Sequence, residues 1–165
     1  MDDLGTFRVF RATERNYGID WCHVLRDHGS VGYTFCRNTL VVLPESFTSV
    51  IAVGEGYALI GRHLYIHVGC WFDGASGPAV DGVCNLMAAA VHDMLYRILE
   101  SRHGCQLDPL DYAMADRTYA DIMRAQGGNH WRVLLHYVGL RLFGRLYVAV
   151  VKTLKKEQKW IRIGR

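Results

Sequence analysis

The sequence has no CxxC pair among its five cysteines, no basic-then-apolar leader, no internal repeat and no low-complexity run. Without finger-like cysteine spacing the motifs argue against a zinc site. The acidic start MDDLGTFRVF does not read as a signal peptide. In a chain of 165 residues Cys22, Cys36, Cys70, Cys84 and Cys105 are therefore expected as buried free thiols, and their odd number leaves at least one unpaired within the monomer. No clean transmembrane run is present either. The nineteen residues Val133 to Val151 would be long enough, but His136, Arg141 and Arg145 interrupt them. Each arginine at mid-bilayer costs a few kcal/mol. An amphipathic helix packed on the body is the expectation. A helix lying in a membrane interface is the alternative, which Trp160 and the nearby lysines would suit.

What is present is ordinary globular material: 50% apolar and 21% charged residues, enough for one domain over 1–165. The domain divides by pattern into a β-rich part (1–72), a loop and helical part (73–144) and a basic C-terminal segment (145–165). The formal charge of +3 conceals an asymmetry. From Arg141 onward stand eight Lys/Arg and one acid, Glu157, whereas the first 140 residues carry eleven basic and fifteen acidic side chains. A basic end of this kind suits a phosphate, membrane or acidic protein surface, or is simply solvated.

Thr6–Ala12, Gly32–Cys36, Thr39–Leu43, Phe47–Val53 and Leu64–Val68 read as short strands, rich in β-branched and aromatic residues. Gly54-Glu55-Gly56 and Gly61-Arg62-His63 read as turns. After Gly77-Pro78 the period becomes helical. Val83 to His103 places Ala88, Ala89, His92, Leu95, Tyr96 and Leu99 on one face, with Gly104 as a stop. Asp108-Pro109 predicts the start of a second helix running to about Gln126, and Gly127-Gly128 its end. Asn129 predicts the cap of a third helix through 133–151. The fold class is thus α+β: a small N-terminal antiparallel sheet followed by three helices, the first two an antiparallel pair.

One helical face carries an anomaly. Tyr112, Ala113, Asp116, Tyr119, Ala120 and Met123 share it, and Asp116 is the lone carboxylate. A buried Asp must find a cation, a metal or hydrogen-bond donors. It is either a structural group tied to an arginine or to backbone, or it orients a histidine. His92, on the apolar face of the preceding helix, is the candidate. A carboxylate on one imidazole nitrogen fixes the tautomer and leaves the other as a base. Asp93 points about 100° further around the helix. The loop CWFDGASGPAVD (70–81) offers Asp73 and Asp81. Asp73, Asp81 and Asp93 are candidate ligands for a hard cation, calcium first, although Asp-Gly is also a common turn.

Three fragments, FDGASGP (72–78), AAAVHDMLYR (88–97) and ADRTYADIMRAQGGNHWRVLLHYVGLRLFG (115–144), resemble an uncharacterised phage and prophage family, domain of unknown function 1353. The likeness spans roughly residues 64–144; Gly77 stands where that family usually has a small aliphatic residue, and 145–165 has no counterpart. The His-Asp-x-x-Tyr helix followed by Ala-Asp also resembles the phospholipase A2 active site, including its compact form in some viral capsid proteins. That resemblance implies His92 as the base activating water, Asp93 as a calcium ligand, and Tyr96 and Asp116 as hydrogen-bonded support. The glycine pattern of that superfamily's calcium loop and its flanking disulfide cysteines are not found here.

Two function classes follow. One is a phage-encoded hydrolase of lipid or another ester, using His92, Asp116 and Tyr96, with anionic lipid met through the basic C-terminus. The other is a virion component (tail, neck or capsid) in which these residues form a structural polar core, partnered by other particle proteins or by copies of itself. Nucleic acid is the weaker partner, because no recognised binding motif accompanies the basic residues. The expected location is the phage particle or the cytoplasm of an infected bacterium.

Overall fold

Period-two alternation builds the first half of the molecule. The computed structural model describes residues 8–11, 21–25, 31–72, 74, 85–101 and 110–144. Its strands are β1 (Arg8–Arg11), β2 (Trp21–Leu25), β3 (Val31–Phe35), β4 (Thr39–Val42), β5 (Ile51–Gly54), β6 (Tyr57–Ile60), β7 (His63–Ile66) and β8 (Trp71–Phe72). They form a five-stranded sheet in the order β1-β4-β7-β6-β5 and a three-stranded sheet in the order β2-β3-β8. Val41, Ala52, Leu59, Leu64 and Ile66 point into the core, while Ile51, Val53 and Ile60 face outward. That is the alternation a half-buried antiparallel sheet requires.

The order of sheet then helices is as expected, with differences of detail. The described strands form two sheets rather than one, and β1 runs parallel to β4, Arg8 opposite Thr39. A parallel pair needs a long crossover; the chain between them supplies it and contributes β2 and β3 to the second sheet. The expected strand Phe47–Val53 begins only at Ile51, because Glu45–Phe47 forms a 3₁₀ turn that plants Phe47 in the core. Strands β2, β6 and β8 were not anticipated. Both expected turns are present, and Gly56 takes the left-handed φ of 79° that the β5–β6 hairpin uses.

The helices are α1 (Leu86–Ser101), α2 (Tyr112–Ala125) and α3 (His130–Gly139), the last extended by a π-helical turn over Leu140–Gly144. Helix α2 starts later than the Asp108-Pro109 signal implied. Asp111 is its cap, accepting from the Met114 amide at 2.6 Å. It ends as expected. Gly127 adopts φ 84°, and the Gly128 amide reaches back to the Met123 carbonyl at 2.9 Å, a Schellman closure. Asn129 caps α3 by accepting from the Trp131 amide. The third helix was expected to continue to 151; its regular α-helical part stops at Gly139, and residues beyond 144 lie outside the described ones.

Helices α1 and α2 pack as the predicted antiparallel pair. Met87, near the start of α1, meets Gln126 at the end of α2, whereas Tyr96 further along meets Tyr112 at its beginning. The other side of α1 lies on β5 and β8. Phe72 of β8 stacks on Tyr33 at 5.3 Å between ring centroids, and the Arg97 guanidinium of α1 sits over the Trp71 ring. The Arg97 contact ties α1, and with it His92, to the second sheet. Cys70 is a buried free thiol, pushed upward in pKa by burial against the opposing pull of Arg97. Cys36 corrects the expectation of free thiols throughout: it is disulfide-bonded.

Candidate active site

The antiparallel pairing of α1 and α2 brings together the polar residues that interrupt their apolar faces. His92 and Tyr96 stand one turn apart on α1 and so share a face. Opposite them Asp116 is almost fully enclosed, 1% exposed. Its Oδ1 lies 2.9 Å from His92 Nε2 and accepts from the Tyr96 hydroxyl at 2.7 Å. Its Oδ2 accepts from Arg141 Nη1 at 3.3 Å, the arginine reaching in from the π-helical turn after α3. Both readings of Asp116 therefore hold at once: it orients a histidine and it is tied to an arginine.

Burial pushes the Asp116 carboxyl up, but the bond from His92, the bond from Tyr96, the charge of His92 and the bond from Arg141 outweigh it and hold the carboxyl below its usual value. Asp116 is thus an anion and can only accept hydrogen bonds. It follows that His92 carries its hydrogen on Nε2, and that in the neutral ring Nδ1 holds the lone pair. Burial first, then the bond to Asp116 and its charge, keep the Tyr96 hydroxyl protonated well above the ordinary phenol range. Tyr96 is accordingly a permanent donor that orders the carboxylate.

The ring of His92 is held on further sides. Tyr96 lies against it at 4.1 Å between centroids, and Tyr119 meets it edge-on at 5.6 Å. Asp93 Oδ1 is 4.0 Å from Nδ1, the nitrogen turned away from Asp116. Asp93 is thus beside the base, not part of its support. Asp73 and Asp81, the other expected metal ligands, lie outside the described residues. Among the described residues no three His, Cys, Asp or Glu side chains converge to hold a metal ion. Asp121 pairs with Arg124 on the surface and takes no part.

Three contributors have no distinctive sequence signal. Arg141 interrupts an apolar run; an arginine there needs an anion, and Asp116 is that anion. Tyr119 shares the Asp116 face, and His136 is another interruption of the same run. The Tyr119 hydroxyl and His136 Nδ1 share a 2.8 Å hydrogen bond, with the two rings stacked at 16°. Helix α3 thus braces the site through two contacts.

Burial, aided by Arg132, lowers the pKa of His136. With the folded value below the unfolded one, the native state binds fewer protons. This contribution is complete above the unfolded histidine value of about 6.5 and is lost as pH falls through the folded value. Asp116 has the same sign in a lower window, below about 4. The melting temperature should therefore drop between pH 7 and 5, and His136→Asn, which keeps an acceptor for Tyr119 without titrating, should drop less. An equal drop in both proteins would place the titrating group elsewhere.

No family model, curated protein or solved structure matches this chain.

Proposed function

We propose that the chain is a small phage-encoded hydrolase of the phospholipase A2 type, cleaving an ester of a lipid or a related substrate. The observation that carries this reading is the contact of His92 Nε2 with an ionised Asp116, which leaves Nδ1 on the opposite side of the ring as the only imidazole nitrogen able to accept a proton. Nδ1 takes one proton from water, and the resulting hydroxide bonds to the ester carbonyl carbon. The carbonyl electron pair moves onto oxygen and then returns, breaking the bond to the alcohol oxygen. That oxygen recovers the proton from Nδ1, so the products are an acid and an alcohol. Asp116 stabilises the transient imidazolium, and Tyr96 with Arg141 holds Asp116 in place.

Asp93 would hold calcium, with Asp73 and Asp81 from the preceding loop as its proposed companions. Carboxylate oxygens are suitable donors for that hard cation. Bound there, the ion would polarise the carbonyl oxygen. The test is hydrolysis of a soluble short-chain phospholipid by the purified full chain in calcium. Acid release is expected, and EGTA should suppress it reversibly. Absence of any release, with phospholipid or with simpler aryl esters, would count against the reading.

A second reading is favoured by a different surface. The outward side of the five-stranded sheet exposes Ile51, Val53 (69% exposed) and Ile60, a face suited to particle proteins or further copies of the chain. In that reading the protein is a virion component, and stoichiometric abundance in purified particles distinguishes it.

A further inference from the structure

Helix α3 is two-sided in an unusual way. Its inner side carries Val133, His136 and Tyr137 toward α2, and Arg141 follows in the next turn. A surface helix normally turns charged residues outward. Here the outward positions are Trp131, Leu134, Leu135, Val138, Leu142 and Phe143, with Trp131 70%, Leu135 72% and Phe143 65% exposed. From His130 to Gly144 there is no acidic residue, and from Arg141 to the end eight Lys/Arg face one Glu.

We infer that the outward face of α3 is a docking surface for an anionic lipid membrane. Aliphatic side chains flanked by Trp131 and Phe143 suit the boundary between headgroups and acyl chains. The cationic character of this end of the chain complements an anionic leaflet. A second copy fits less well, because the stretch His130 to Gly144 carries arginines and no acidic residue to pair with them across such an interface. The inner side of this helical segment touches Asp116 through Arg141 and Tyr119 through His136, so docking of its outer side would hold the His92 cluster one helix away from the lipid. In that link to catalysis the inference rests on the hydrolase reading; the docking itself does not.

The test is co-sedimentation of the full chain with sucrose-loaded vesicles, made either of equal phosphatidylcholine and phosphatidylglycerol or of phosphatidylcholine alone. The wild type should partition strongly into the anionic vesicles and weakly into the neutral ones. Leu135→Glu and Phe143→Glu should each lower that partitioning by about tenfold or more while leaving the melting temperature unchanged. Leu135→Ser, which adds no charge, should weaken it less but measurably. His92→Ala should bind like the wild type. Failure of the wild type to sediment with anionic vesicles overturns the proposal, as does undiminished binding by both Glu variants. So would a concentration-dependent dimer in sedimentation velocity that Leu135→Glu abolishes, since a second copy would then be the occupant. Vesicle binding without ester hydrolysis would sink the hydrolase reading alone; hydrolysis of a soluble ester without vesicle binding would sink the docking alone.

Discussion

Replacing Asp116 with alanine should lower the free energy of unfolding by about 3 kcal/mol or more, within the range for breaking a buried ion pair by removing one partner. The loss is large because one carboxylate serves three donors: His92 Nε2–H, the Tyr96 hydroxyl and the Arg141 guanidinium. Alanine leaves all three facing a void, and each buried donor left unsatisfied costs about 1–3 kcal/mol. Arg141 softens the outcome, since its side chain is 31% exposed and can turn toward water. Chemical denaturation of the wild type and Asp116→Ala gives the difference directly. A change under about 1 kcal/mol would mean that the three bonds are not held together in solution.

The second large effect is on catalysis. His92→Ala should reduce ester hydrolysis by roughly 10²–10⁴-fold, the contribution of a positioned general base, with a smaller loss of stability than Asp116→Ala because the carboxylate keeps Tyr96 and Arg141. Asp116→Asn should cause a loss of similar order through a different route. An Asn amide can donate to Nε2, which would move the ring hydrogen to Nδ1 and occupy the nitrogen that should accept from water. Initial rates at saturating and limiting substrate check both. Undiminished hydrolysis in His92→Ala would remove His92 from the reaction.

Much of this site was legible in the sequence because helical periodicity is a strong signal in long segments. Asp116 stood out as a carboxylate on an otherwise apolar face, and His92 and Tyr96 shared the facing stripe of α1. The short connection between the helices implied that the two faces meet, and they do. The third helix was harder to read. Arg141 and His136 looked like breaks in an apolar run, and only the α2–α3 packing reveals which anion and which hydroxyl they serve. The sheet half was legible strand by strand but not in its pairing. Three strands gave too little pattern: β8 is two residues long, β6 mixes Tyr, Ala, Leu and Ile, and β2 contains a histidine and a cysteine. The parallel β1–β4 pair depends on a crossover that no local pattern encodes.

Tyr119 shows what a shared face alone does not reveal. Its ring lies edge-on to His92 and its hydroxyl bonds to His136, so it bridges the candidate base and the helix whose outer side is exposed and apolar. Sequence spacing places it beside Asp116, but both partners come from other helices. The polar cluster is therefore built by all three helices, not by the predicted pair.

The central claim is that an ionised Asp116 fixes the hydrogen of His92 on Nε2 and leaves Nδ1 as the base. Long-range proton–nitrogen correlation NMR of the full chain, under conditions where the ring is neutral, reads this tautomer directly. The account predicts a protonated Nε2 and an unprotonated Nδ1 for His92. A hydrogen on Nδ1 in the wild type would contradict it.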